Sequence, residues 1–375
     1  MFLHRLHLRN YRNFAEQVLE LPPQGAAIVG DNGQGKTNLL EAVYYLEIFR
    51  SFRGAPDEQL VRFGEEVFRV EARLEDGEGR SRSVSAAFDR RARKKKVAVN
   101  GAEPERLGDA LGQVGAVIFS PSDVELVAGG PGARRRFLDI VLSLAQPGYL
   151  HALQRYRQAL FQRNTLLRQN ASRALVEAWD EGLIASGSRV AAARAAWVAE
   201  RAESFAQHYT RVAGGQPGRM AYAPSAAEMA EAAGEAQVSA AFRDALARGV
   251  EREQRRGMTL VGPHRDDLRF TTTGAEGAEL ELRTYGSGGQ QRTAAIALRM
   301  VEAETIHAAR GREPIILLDD VFAELDPGRS QRIVDWIETE EGGQVILTSP
   351  KPTDFELRGQ VLPRWGIRDG VVLPG

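Results

Sequence analysis

The spacing of apolar residues changes character along the chain. Residues 2–8 alternate apolar and polar positions, and residues 68–74 do the same, which predicts half-buried strands. Residues 97–100 read as another strand that ends in an Asn100-Gly101 turn, and residues 114–119 read as a fully buried one. Between them, residues 38–46 carry apolar side chains at helical spacing. From about 133 to 250, Ala, Arg, Leu and Glu dominate and the period becomes helical. Phe137, Ile140, Val141 and Leu144 mark one face, Pro147-Gly148 breaks it, and Leu153, Tyr156, Leu160 and Leu167 continue it. An Ala-rich helix over 189–212 ends at Gly214-Gly215. After 258 strands and helices return, with a short apolar run at 315–318 and a further strand at 344–348.

This order predicts an α/β fold. Residues 1–125 and 255–375 form one composite domain, with a helical lobe, 126–254, inserted between them. Pro147, Gly182 and Gly187 interrupt the stripes of the insert, which predicts a helical bundle rather than a coiled-coil arm.

Between the apolar run 26–29 and the helix at 38 lies Gly30-Asp31-Asn32-Gly33-Gln34-Gly35-Lys36-Thr37, a phosphate-binding loop in the strand–loop–helix context it requires. Its glycines let backbone N–H groups turn toward phosphate oxygens, and the helix N-terminus adds partial positive charge. Lys36 is expected to reach the β- and γ-phosphates of ATP, and Thr37 to ligate Mg²⁺. The apolar run 315–318 ends in Asp319-Asp320. Unpaired buried carboxylates are costly, so this pair points to a site. Asp319 suits the Mg²⁺, and Asp320, on the opposite side of the strand end, is placed to polarise the attacking water. Its short side chain implies slow hydrolysis. Asp326, before Pro327, reads as a helix cap.

Composition narrows the class. The 375 residues are enough for two or three domains, and there is no cysteine, so neither a disulfide framework nor a thiolate metal site is available. The six histidines are scattered. No apolar run is long enough to cross a membrane and the N-terminus is no signal peptide, so a soluble cytoplasmic protein is expected. The net charge is −1, so any nucleic-acid contact needs a local basic face. The sharpest is Arg90-Arg91-Ala92-Arg93-Lys94-Lys95-Lys96, expected at a hairpin tip, and Arg134-Arg135-Arg136 is a second.

Tyr285-Gly286-Ser287-Gly288-Gly289-Gln290-Gln291-Arg292 opens a helical pattern some thirty residues before the acidic strand. Its amides and the Ser287 hydroxyl make an anion site. Because the chain's own loop already covers one side of ATP, this run is expected to reach the γ-phosphate of a partner's nucleotide.

Phosphate loop, signature run and acidic strand in this order are the arrangement of ABC-type ATPase heads. The chain resembles the RecF family of bacterial DNA replication and repair proteins, related to Rad50 and SMC heads. The resemblance runs over nearly the whole chain, through residues 6–14, 30–38, 119–121, 134–139, 262–267, 285–292 and 317–326. It implies an ATP-dependent homodimer on double-stranded or gapped DNA without base specificity, weak DNA-stimulated ATP hydrolysis, and a role with RecO and RecR in loading recombinase. It adds Asn38 and Arg53 to the nucleotide-binding residues, and places Ser287, Gly288, Gly289 and Gln290 in trans. Asp123 falls where such heads carry an Mg²⁺-sensing loop, although no glutamine stands there. Phe52 replaces a histidine of the family's Ser-His-Arg segment. Thr348-Ser349 stand where transporter ATPases carry a histidine near the γ-phosphate. A transporter ATPase subunit and a nucleotide-gated scaffold with incidental hydrolysis are the competing readings. The transporter lacks support from a switch histidine, and DNA-stimulated hydrolysis separates the scaffold from the clamp.

Overall fold

In this computed structural model, residues 1–76, 78–232, 234–274, 277–339, 343–351, 356–357, 360–361 and 362–374 are described. The chain packs as two units, residues 1–123 with 302–375, and residues 124–301.

The first unit holds two large sheets and a two-stranded one, Glu356–Leu357 with Gln360–Val361. One large sheet is antiparallel, in the order Phe14–Glu20, Phe2–Tyr11, Val67–Glu75, Ser81–Asp89, Lys94–Val99. Its inward positions follow the period-two pattern, with Phe68, Val70, Ala72 and Leu74 all buried. The other has six strands, in the order Val371–Leu373, Arg364–Arg368, Gly25–Val29, Val345–Ser349, Ile315–Leu318, Ala116–Phe119. All of its neighbours pair in parallel except the first two. Central parallel strands are covered on both faces, which is why 315–318 and 345–347 are continuously apolar and every residue of both strands is buried.

Helix Lys36–Ile48 is buried almost throughout and touches strands of both sheets. Tyr45 meets Phe68 edge-on at 5.5 Å, and Tyr11 meets Phe68 at 5.2 Å. A helix apolar on nearly all sides is what such a position demands.

The second unit is mostly helical. It contains Pro131–Ala145, Tyr149–Arg168, the long helix Asp180–Ala213 and Glu235–Arg256. It also holds a three-stranded antiparallel sheet, in the order Glu279–Glu281, Asp267–Thr273, Gly218–Ala223, within a stretch whose first part reads as helix by composition. The boundary of this unit lies at 301, not 254. Leu268, Phe270, Leu282 and the start of helix Gly288–Arg310 share one core with Phe137, Trp197 and Phe205. The signature run therefore packs with the helical unit.

Two local expectations change. Helix Asp180–Ala213 runs straight through Gly182 and Gly187. A Cβ on Gly187 would come within 2.7 Å of Phe242 and 2.9 Å of Tyr156, so this glycine allows close helix packing instead of marking a break. On helix Pro131–Ala145 the buried positions are Arg134, Phe137, Leu138, Asp139, Val141 and Leu142. The inward face is rotated from the expected stripe because Arg134 itself lies inside it.

Candidate active site

The phosphate loop leaves the carboxyl end of strand Gly25–Val29, where open parallel sheets place ligands. Gly30 is packed so tightly that a Cβ would lie 2.5 Å from the Ile367 carbonyl oxygen. Gly35 has φ 111° against Asn13, a backbone that strongly favours glycine. Lys36, 4% exposed, folds back over the loop, its Nζ donating to the carbonyls of Gly30 (2.7 Å) and Asp31 (3.1 Å).

The sheet order decides what faces the loop. Strand Val345–Ser349 lies between the loop's strand and Ile315–Leu318. The carboxyl ends of all three therefore converge. Thr37 Oγ1 donates to Asp319 Oδ1 at 2.8 Å. Thr348 Oγ1 lies 3.2 Å from Asp319 Oδ1 and 3.1 Å from Asp320 Oδ1, and accepts from the Asp320 N–H at 2.9 Å. Asp320 Oδ2 is 3.7 Å from Lys36 Nζ.

Strand alternation predicts Asp320 on the opposite side of the strand end from Asp319, and the structure places both carboxylates on one side. The strand stops at Leu318, and Asp320 adopts φ 47°, so the two-residue alternation no longer applies and both carboxylates reach the same hydroxyl. Burial pushes the Asp319 carboxyl above its ordinary range, the Thr37 hydrogen bond opposes this, and the neighbouring Asp320 charge adds to it. A buried carboxylate beside a threonine hydroxyl fits the donor set of an Mg²⁺ site.

Asn13 and the 369–370 turn, neither of which the sequence singles out, pin the loop from outside. Asn13 Nδ2 donates to the Gln34 carbonyl (2.9 Å), and Asn38 Nδ2 donates to Asn13 Oδ1 (2.8 Å). The Asp369 N–H donates to Gln34 Oε1 at 2.6 Å, and the Gly370 N–H to the Gln34 carbonyl at 3.1 Å. Asn13 belongs to the 6–14 segment, but nothing local signals its reach, and the 369–370 turn is more than 300 residues away. The Arg53 guanidinium donates to Asn38 Oδ1 at 3.2 Å, which places Arg53 beside the loop. One turn into the helix, the fully buried Glu41 accepts from Arg12 Nε at 2.8 Å, from Arg12 Nη2 at 2.9 Å and from the Ser51 hydroxyl. Asp31, Asn32 and Gly33 line the exposed rim. Asp123 accepts from the Ser120 N–H at 2.8 Å, closing the turn at Pro121–Val124. Asp326 caps helix Pro327–Thr339 through the Arg329 N–H at 3.0 Å; the side chain of Glu324 lies outside the described residues.

In the second unit, Ser287 and Gln290 form a reciprocal capping box. The Ser287 N–H donates to Gln290 Oε1 (2.9 Å), and the Gln290 N–H to Ser287 Oγ (3.3 Å). This leaves the Gly288 and Gly289 N–H groups at the helix start without intrahelical acceptors.

The basic runs separate into different roles. Residues 90–93 do form a hairpin tip, between Ser81–Asp89 and Lys94–Val99. Lys95 is drawn inward to Asp57 at 2.8 Å and lies 5.2 Å from the Tyr45 ring centre. Lys96 pairs with Glu103, and Arg90 and Arg91 with Glu66, each at 3.5 Å. Arg93 pairs with Glu58 at 2.8 Å, and Lys94 is exposed. Arg134 is 2% exposed and forks onto Asp267 at 2.7 and 2.9 Å. Arg135 donates to the Asp266 carbonyl at 2.9 Å.

A phosphate loop, a threonine–aspartate pair and an acidic strand end on one parallel sheet define a P-loop ATPase head. The RecF/RecN/SMC N-terminal domain family model matches residues 2–362. DNA replication and repair protein RecF of Salinibacter ruber is 37% identical over 362 residues, spanning 95% of this chain and 86% of that protein. The protein of the same name from Halothermothrix orenii is 35% identical over 383 residues, spanning 99% and 98%. The structure of the recombination mediator protein RecF with ATP, from the RecFOR pathway, superposes with a TM-score of 0.90 at 31% identity, covering 100% of this chain and 97% of that one. An Smc head domain from Pyrococcus furiosus shares the fold alone, with a TM-score of 0.56 at 15% identity. The chain belongs to the RecF family of DNA replication and repair proteins, within the wider RecF/RecN/SMC group.

Proposed function

We propose that this protein is an ATP-gated DNA clamp. ATP with Mg²⁺ binds in the phosphate loop and joins two copies through the Ser287 run. The joined dimer grips DNA, and slow hydrolysis releases it. The observation that carries this reading is the convergence of Lys36, Thr37, Asp319, Asp320 and Thr348 at one end of the parallel sheet. Lys36 meets the β- and γ-phosphates. Thr37 and Asp319 would hold Mg²⁺, which neutralises charge between phosphate oxygens. Asp320 polarises the attacking water. Its short side chain and its proximity to Lys36 favour a low rate. Gly288 and Gly289 offer amides, and Ser287 its hydroxyl, to the γ-phosphate held by the partner copy. The hairpin tip supplies phosphate contacts indifferent to base sequence. By family, RecO- and RecR-type mediators and loading of recombinase at gaps belong to the same reading, as does a bacterial cytoplasmic setting. Among the described residues no helix is long and apolar enough to cross a membrane.

Solution mass by light scattering tests this, with and without ATP–Mg²⁺ and duplex DNA. Wild type is expected to pass from monomer to dimer with ATP and to hold DNA only then. Lys36→Met abolishes nucleotide binding. Ser287→Arg keeps ATP binding but stays monomeric. A Ser287→Arg protein that dimerises like wild type would refute the trans contact.

A further inference from the structure

We propose that Phe63 is a base-stacking residue, engaging an unpaired nucleotide of DNA whose phosphates lie on the arginines around it. The inference rests on the DNA-binding reading above. Phe63 is 98% exposed, the most exposed large apolar side chain among the described residues. At that exposure its ring contributes almost nothing to the core. It is nevertheless held in a fixed turn. The Glu65 N–H donates to the Arg62 carbonyl at 3.0 Å, with Gly64 at φ 87°. The Arg62 N–H donates to the Asn10 carbonyl at 2.8 Å, and Asn10 Nδ2 donates to Glu65 Oε2 at 3.1 Å. The ring is presented on a rigid base, which lowers the entropy cost of using it.

The setting is cationic. The Arg90 N–H donates to the Glu66 carbonyl at 2.8 Å, so the 90–93 tip lies against the segment that carries Phe63. Arg62, Arg90, Arg91, Arg93 and Lys94 lie on these segments, with Glu58, Glu65, Glu66 and Asp89 among them and Asp57 taken up by Lys95. Arg91 and Arg93 are 81% and 77% exposed. Their pairs with acids are surface pairs of little strength, and a phosphate offers the guanidinium a better, bidentate partner. An exposed aromatic among guanidinium groups is the chemistry that holds single-stranded nucleic acid, where ring meets base and cation meets backbone. Base faces are hidden in an intact duplex. Phe63 can therefore stack only where a base is unpaired, as in a gap.

Fluorescence anisotropy at one salt concentration, with ATP–Mg²⁺, tests this on three labelled DNAs: a duplex with closed ends, the same duplex with a gap, and a single strand. Phe63→Ala is expected to weaken binding to the gapped and single-stranded DNAs by roughly 5- to 100-fold, leaving the closed duplex within about twofold. Phe63→Trp restores the preference. Arg91→Ala with Arg93→Ala weakens all three alike and lowers the salt slope by about one per arginine. Equal loss on all three DNAs with Phe63→Ala, or no loss, overturns the inference. Loss of the ATP-dependent dimer mass instead makes Phe63 a subunit contact and overturns it too. If wild type binds none of the three DNAs, the DNA-binding reading itself fails and takes this inference with it.

Discussion

Single side chains in this protein are placed by partners far away in sequence, and His264 is an instance with a measurable consequence. Its Nδ1 accepts from the Tyr156 hydroxyl at 2.6 Å, and its Nε2–H donates to the Thr259 carbonyl at 3.0 Å. Burial, and secondarily the charge of Arg265, pull its pKa down from 6.5 to about 4, against the Thr259 hydrogen bond. A histidine depressed in the fold contributes its stability above its ordinary pKa, and loses it as pH falls through the folded value. Between about pH 6.5 and 4 the unfolded chain binds the extra proton, so folding weakens by roughly 3 kcal/mol over that window. Urea melts at stepped pH should show this slope in wild type and a shallower one in His264→Gln. Equal slopes would mean His264 is already protonated in the folded protein.

At the scale of elements, the Gly262-to-Asp267 segment acts as a polar clamp. Arg134 ties helix Pro131–Ala145 to strand Asp267–Thr273 and also donates to the carbonyls of Leu126, Val127 and Gly129. Arg194 reaches the Pro263 carbonyl and Asp139, both at 2.7 Å, while Asp266 accepts from the Ser225 N–H and the Tyr222 hydroxyl. Removing one partner of a buried ion pair strands the other, so Arg134→Ala should destabilise the protein by about 2–4 kcal/mol. The figure sits toward the lower end because Asp267 keeps part of its surface in water. A thermal melt reads the loss. An unchanged melting temperature with weakened DNA binding would instead return Arg134 to the DNA-contacting group.

For the whole molecule, the strand order makes the two units unequal as folding entities. The six-stranded sheet places 345–349 and 315–318 between strands 25–29 and 116–119. A fragment of residues 1–123 lacks those central strands and should not fold. Residues 124–301 are continuous in sequence and contain their own apolar clusters. Expressed alone, they should show helical circular dichroism and a cooperative melt. A non-cooperative melt would mean that this unit depends on the rest of the chain.

Phosphate loop, acidic run and signature are legible in the sequence because each depends on residues adjacent along the chain: glycines that turn amides outward, a lysine and hydroxyl at a helix start, carboxylates ending an apolar run. The strands at 2–8 and 68–74 were legible because their period matches the pleat. What packing alone decided depends on residues far apart. Thr348 enters the site because its strand lies between two others. Asp320 turns toward it because the strand stops at Leu318. Arg134 disappears into the core despite sitting in a run of arginines, and the signature helix packs with the lobe because its apolar face meets Phe137 and Trp197 there. Charge and periodicity report what a side chain can do; which neighbour it meets is set by the order of strands and the fit of the core, and neither is written locally.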